Sequence, residues 1–550
     1  MIQNMKKFFA AAFILSSVMG AAQNVMQNSQ IHGDFQTDFQ YYLPDAKIGA
    51  DTVPEKLLCN GYLNLLFTSG NFAAGVRYEN YNNVMQGFDP RYKGSGIPYR
   101  FASYNHKDFE ITVGNYYEQF GTGLLLRSYE ERSLGIDNSL DGIRLRYKPY
   151  NGIYLKGLIG QQRFFFDKGD GIVRGLDGEI NLNEFNKKWT AAKMKATFGG
   201  SFVSKFQADR DPIYKLPENV GGWAARTTLN YGNWMLTGEY AYKINDPSTV
   251  NKMIYKPGEA LFASLSYSKK GFGITLSAKR IDNMNYRSDR SATGNVLTMN
   301  YLPALTKPHS YTLLAFYPYA SQPNGEMAWQ GQINYKIKKD TKLGGHYGTD
   351  VAVNYSRANA IDMQQVNDTT PLMKPGTLGY TSDFFAIGDE LYYEDFNVEI
   401  SHKFSKKVKG IFTWAYLTYN SDVIEGHTDG IFYNHIGIAD VTYKITPTNS
   451  IRMEVQHLLS KQDEKNWANA MLEFTVAPKW FFMAGDSYNY GNPDNNKKLH
   501  YYTTGFGYTN NSSRIALTYG KQREGIVCVG GVCRNVPASY GFLVTITSNF

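Results

Sequence analysis

The feature that most limits this chain is a period-2 alternation of apolar and polar residues that recurs along almost its whole length. "GIRLRYK" sets Ile143, Leu145 and Tyr147 on one side and Arg144, Arg146 and Lys148 on the other. "FGITLSAK" sets Phe272, Ile274, Leu276 and Ala278 against Gly273, Thr275, Ser277 and Lys279. "SIRMEVQHL" does the same with Ile451, Met453, Val455 and His457 against Arg452, Glu454 and Gln456. A period of two is the spacing of a strand with one dry face and one wet face. Helical periodicity is nearly absent. Beyond the N-terminus no run of about 18 apolar residues occurs that could cross a bilayer as a helix.

The connections narrow the choice further. Short ones such as "SGN" (69–71), "YNG" (150–152), "YGN" (231–233), "SKKG" (268–271) and "TNNS" (509–512) read as hairpin turns. They alternate with longer stretches at 82–98, 121–140, 244–258, 282–326, 357–390 and 523–538. A meander gives this alternation when its two ends face different compartments. Transmembrane β-barrels do so with short periplasmic turns and long outside loops. Strands of about 10 residues also fit a tilted bilayer crossing. Eleven turns and twelve loops lead to an all-β fold, a single closed antiparallel barrel of 24 strands, with 22 to 26 as bounds. A soluble propeller or sandwich array is the rival, but no fixed repeat supports a propeller and soluble strands average about 5–6 residues.

The ends agree with a barrel. Residues 1–22 have a basic start (Lys6, Lys7), an apolar core from Phe8 to Val18 and small residues Gly20, Ala21 and Ala22, the pattern of a secretory signal peptide with Gln23 as the mature start. The domain expected is therefore 23–550. No linker interrupts it, and with 42 Tyr and 33 Phe it is too aromatic for a string of ordinary soluble domains. The first strand is expected at Ile31–Tyr42. The final "GFLVTITSNF" places Phe542, Val544, Ile546 and Phe550 on one side, and in a closed barrel it must pair with the first strand so that no backbone group is left unpaired in lipid. This ending resembles the terminal signature of bacterial outer-membrane proteins. The resemblance implies the outer membrane of a Gram-negative bacterium, contact with outer-membrane lipid, and recognition by the barrel assembly machinery during biogenesis.

A formal charge of +8 invites a nucleic-acid partner, but the basic residues form no stripe and an exported protein rarely meets nucleic acid. Lysine pairs sit instead in short turns: Lys187–Lys188, Lys269–Lys270, Lys338–Lys339 and Lys406–Lys407. They read as solvated turn tips or as attraction to anionic head groups.

The most specific internal stretch is "GNYYEQFGTGLLLRSYEERSLGIDNSLDGIRLRYKP", Gly114 to Pro149. Its Gly- and Arg-rich loop before a "DG" strand resembles that of porin-like and alginate-exporter-like barrels. The resemblance implies a loop folded into the lumen, with Arg127, Glu130, Glu131, Arg132 and Asp137 along a constriction. So many charges cannot face lipid. They stand either in such a passage, where Arg and Glu filter solutes by charge and width, or on a surface loop as weak ion pairs. On the polar faces of early strands lie Arg77, Arg144, Arg146, Lys148 and Lys156, and on those of late strands Glu399, Glu454 and Glu473. In a closed barrel these would make two lumen walls of opposite sign, a pattern that Arg452 weakens, or simply solvated wall charges with no part in selectivity.

In "CVGGVC" the pair Gly530–Gly531 makes a two-residue hairpin turn, which sets Cys528 opposite Cys533 at a non-hydrogen-bonded site within disulfide reach. Export into an oxidising compartment favours the bridge. Cys59 is left over and falls on the lipid face with Leu57, Leu63 and Leu65. The hairpin "REGIVCVGGVCRNVP" resembles the ending of outer-membrane barrels from Bacteroidota, many of them families of unknown function. That implies fold and location, and no substrate.

"DKGDG" (167–171) hints at calcium but lacks the full loop spacing. No hydrolase, metalloprotease or P-loop motif occurs, so neither an enzyme nor a cofactor is expected. The leading function is a porin-like channel for passive diffusion of small polar solutes, narrowed by loop 121–140, with 282–326 and 357–390 as further plug or lid candidates. The alternative is a non-conducting barrel that serves as scaffold or partner in an outer-membrane protein complex, its aromatic loops filling the lumen. Uptake of a hydrophobic ligand would need an apolar lumen, against which the polar strand faces speak.

Overall fold

The computed structural model describes residues 29–550; the expected signal peptide, and Gln23 as mature start, lie outside the described residues. Twenty-four strands form one antiparallel sheet. They run from 8 residues (Phe109–Tyr116) to 17 (Ile387–Lys403). Successive strands pair as neighbours, and the last, Ser539–Asn549, pairs with the first, Ser29–Tyr42, in a register that sets Phe39 opposite Val544. That pairing closes the barrel and leaves no open edge in lipid. Phe550 completes the seam: Gly33 N donates to Phe550 O at 2.8 Å, and Phe550 N donates to Gly33 O at 2.9 Å.

The alternation seen in the sequence sorts the two surfaces. Ile143, Leu145 and Tyr147 point outward and are exposed, as are Leu276, Met453, Val455 and Phe542. An apolar outer band flanked by aromatic residues is the surface that lipid requires. Among the described residues no helix is long and apolar enough to cross a membrane; the crossing is made by strands.

Eleven connections lie at the periplasmic end and twelve at the outer end. The alternation of short and long is less strict than the sequence implied. Phe165–Phe166 is a two-residue connection at the outer end, because strand Asp167–Asn181 begins at the "DKGDG" stretch. That stretch is the start of a strand with a register shift between Lys168 and Ile172, and no group of metal-ligating side chains occurs among the described residues. The connections 182–193 and 338–348 are the long periplasmic ones. Strands also reach further into the expected loops. Gly94–His106, Thr349–Ile361 and Ile387–Lys403 shorten the loops to 82–93 and 362–386.

Candidate functional site

The outer half of the lumen is filled by the protein's own loops. Residues 117–139 turn inward and bury Phe120, Leu124, Leu125 and Leu126. Residues 283–324 cross the barrel and bury Met284, Tyr286, Met299, Leu313, Leu314, Tyr317 and Tyr319. The wall beneath them is partly apolar: Val173, Val203, Val220 and Ile281 meet the first part of the plug, and Leu417, Ile436 and Leu458 meet the second, beside buried charges at Lys243, Lys279 and Glu326. Loops and not water cover these strand faces near the outer end, so that charged and apolar side chains alike are buried there.

The two inward loops pair with each other. Arg127 N donates to Met299 O at 2.7 Å, and Tyr301 N donates to Gly123 O at 2.9 Å. The tip of loop 117–139 is fixed to the wall at Glu239, whose carboxylate accepts Thr122 N at 2.6 Å. Gly121 (φ +54°) makes this approach possible, since a Cβ there would stand 2.3 Å from Glu239 Oε2.

A third segment clasps the plug from above. Cys528 and Cys533 are joined by a disulfide with Cα atoms 4.1 Å apart, and Val529 pairs with Val532 across the turn. The turn rests on loop 283–324: Tyr301 Oη donates to Gly530 O at 2.8 Å and Ser321 N to Gly531 O at 3.1 Å. Gly530 (φ +59°) has no room for a side chain, because a Cβ would lie 2.2 Å from Tyr301 Oη.

The charged residues singled out in the sequence fall into these contacts. Arg77 donates to Glu130 at 2.9 Å and to Asp137 at 2.8 Å. Asp137 also accepts from Arg163 at 2.6 Å, and Arg163 grips Glu79 at 2.8 and 2.5 Å. Arg132 donates to Glu130 at 2.7 Å and lies 4.5 Å over the Tyr62 ring. Arg127 makes no ion pair there; it stacks 3.9 Å over Tyr301 and 4.6 Å over Tyr129. Glu131 caps the turn that follows, accepting Ser133 N at 3.2 Å. Glu118 takes Arg146 at 2.8 Å and Lys156 at 3.0 Å, and Arg144 pairs with Glu110. Lys148 stands near Glu184 at 3.7 Å, at the periplasmic rim.

The late-strand acids have their own partners. Glu399 meets Lys307 of the plug at 3.2 Å, Glu473 meets Arg452 at 2.8 Å, and Glu454 meets Arg452 as well. Both groups are thus neutralised by neighbours, and neither stands as a bare charged wall. Glu79, Glu118 and Arg163 were not singled out beforehand. The "VRYENY" alternation puts Glu79 on the face of Arg77, so that pair was readable; its link to Arg163, 84 positions away, was not.

Burial raises the Asp137 carboxyl, but Arg163 and Arg77 outweigh it and hold the group below its ordinary 3.8. Glu118 is likewise held below 4.5, with Lys156 and Arg146 overcoming burial. A depressed carboxylate pKa stabilises the folded state above the unfolded pKa and loses that contribution as pH falls through the folded value. Proteolysis of loop 117–139 is therefore expected to be flat from neutral pH down to about pH 5 and to rise below about pH 4. A change confined to pH 6–8 would contradict this anchoring.

The loops leave several gaps of similar size. A cavity of about 490 Å³ lies between plug residues Thr312, Ala315 and Phe316 and the wall at Asn469, Ser487, Thr503 and Thr518, beside the closure seam. A second space of about 510 Å³, lined by the paired charges Glu118, Lys156, Asp177, Glu179 and Arg226, lies under loop 117–139.

Several solved outer-membrane structures are similar at low identity. A ferric enterobactin receptor (PfeA) of Pseudomonas aeruginosa is 11% identical over 95% of this chain and 80% of its own, with a TM-score of 0.43. The outer membrane protein OpdK of Pseudomonas aeruginosa is 11% identical over 79% of this chain and 99% of its own, with a TM-score of 0.37. The translocation pore of the P pilus usher PapC is 9% identical over 94% of this chain and 99% of its own, with a TM-score of 0.41. At these values the likenesses carry nothing about activity. No curated protein sequence matches the chain. Residues 5–550 match the family of unknown function DUF6029, and the chain belongs to that family.

Proposed function

We propose that this barrel is a passive, porin-like channel for small polar solutes in the outer membrane of a Gram-negative bacterium, its passage confined by the internal plug to a gap along the closure seam. Residues 1–22 would export the chain, and the C-terminal strand with Phe542, Val544, Ile546 and Phe550 would be read by the barrel assembly machinery. The cavity between Phe316 and the seam wall carries this reading. Its wall side mixes small or polar residues, Gly485, Gly520, Thr503 and Thr518, with the larger Met471, Met483, Tyr501 and Leu543. A polar, narrow lumen selects by width and charge. Arg127, Glu130, Glu131, Arg132 and Asp137 would act as the frame that keeps the plug in place, more than as a bare electrostatic filter.

The test is single-channel conductance in a planar bilayer, wild type beside Thr518→Trp. Wild type should conduct steadily, and the substitution should at least halve the conductance, roughly what an indole placed in a gap this narrow would do. The second reading is a non-conducting scaffold for an outer-membrane complex. It is favoured by the plug's fixation through buried ion pairs and a disulfide-closed hairpin. A folded wild-type barrel that never conducts would decide for it.

A further inference from the structure

The formal charge is divided unequally between the two ends of the barrel. The eleven periplasmic connections hold eleven lysines, no arginine, and three acids, Asp108, Glu184 and Asp340. The twelve outer connections hold 20 basic and 23 acidic residues. The short end is thus +8 and the long end −3.

The lysines are also spread out. They occupy the connections 107–108, 182–193, 270–271, 338–348, 404–407 and 477–479, roughly every second turn around the rim. Exposed aromatic residues stand beside them, in connection 182–193 and at the ends of strands: Trp189 is 48% exposed, Trp234 46% and Trp480 41%. Two further lysines at strand ends lie against half-buried rings of the same rim, Lys269 over Phe272 at 5.7 Å and Lys403 over Tyr347 at 4.7 Å.

We infer that this rim is an interaction surface for anionic phospholipid head groups of the inner leaflet. A ring of point charges at the level of an aromatic girdle matches a surrounding layer of phosphates. A single acidic protein would call for charge gathered on one side. Lysine without arginine also suits mobile phosphates better than fixed bidentate partners.

The test uses the full barrel in bilayers of phosphatidylcholine and phosphatidylglycerol, with one lipid at a time brominated near the head group. Trp223→Phe, Trp329→Phe and Trp414→Phe remove the other lipid-facing indoles, so that Trp189, Trp234 and Trp480 report the periplasmic rim. Brominated phosphatidylglycerol should quench about twofold more than the phosphatidylcholine form. The difference should vanish at 0.5 M salt, where charges are screened within about 4–5 Å. It should also shrink in a variant carrying Lys188→Gln, Lys193→Gln, Lys270→Gln and Lys479→Gln, all exposed turn positions in or next to the connections that hold the three indoles. Equal quenching by the two lipids would overturn the inference and leave the rim to a soluble acidic partner. A preference unchanged in the glutamine variant would overturn it too.

Discussion

Excising residues 284–323 and closing the gap with a short Gly-Ser turn is expected to raise single-channel conductance by about tenfold or more, because a barrel of this size is wide once its filling is gone. The excision is geometrically mild. Strands Phe272–Asp282 and Gly325–Ile337 are hydrogen-bonded neighbours with Asp282 opposite Gly325, so a hairpin turn can join them. Its energetic cost falls on the lumen. Lys279 and Glu326, paired at 2.7 Å, are fully buried only because the plug covers them, and Lys279 also donates to Pro303 O at 2.5 Å. Without the plug this pair and the apolar patch at Val203, Ile281 and Leu417 would meet water. The variant should therefore still migrate as a folded barrel but unfold at lower temperature. Unchanged conductance in a folded barrel would mean that no passage runs through the lumen.

Replacing Arg163 with Met is expected to cost about 3–5 kcal/mol, the usual penalty for removing one partner of a buried ion pair. Its side chain is 2% exposed and bridges Glu79, 1% exposed, to Asp137 on the inward loop. Met would leave two carboxylates with Arg77 as their remaining cation. Arg163→Lys should rescue little, since one ammonium cannot reach both Glu79 oxygens and Asp137 as the planar fork does. Urea midpoints of the detergent-folded barrel would measure this. Lys336→Met provides the contrast. Lys336 and Asp350 are 54% and 59% exposed, and that pair should be worth under about 1 kcal/mol. Equal effects from the two substitutions would show that the inner network does not anchor the loop.

The barrel was legible because its rules are local. Alternation at Ile143–Tyr147 or Met453–Val455 reports which side chains face lipid, and turn residues report where the chain reverses. Gly530–Gly531 between two cysteines is equally local, and the bridge follows from hairpin register alone. Aromatic loop 283–324 stood out by its length and its tyrosines, as a filling segment among other candidates.

Contacts inside the lumen were another matter. Arg127 stacks on Tyr301, a partner far along the chain that its own stretch does not reveal. Glu118 and Glu79 looked unremarkable and turned out to hold Lys156 and Arg163. The "ITLSAKRI" stretch shows why. Lys279 and Ile281 share one face, so alternation marks both as lumenal, yet it cannot tell water from a packed loop as the neighbour. A strand's own pattern sets the sheet, its register and its two faces, because those depend on residues one and two positions apart. What fills a barrel depends on how far each loop folds back, and that is decided by pairings between segments a hundred or more residues apart, such as Met299 with Arg127 and Gly530 with Tyr301.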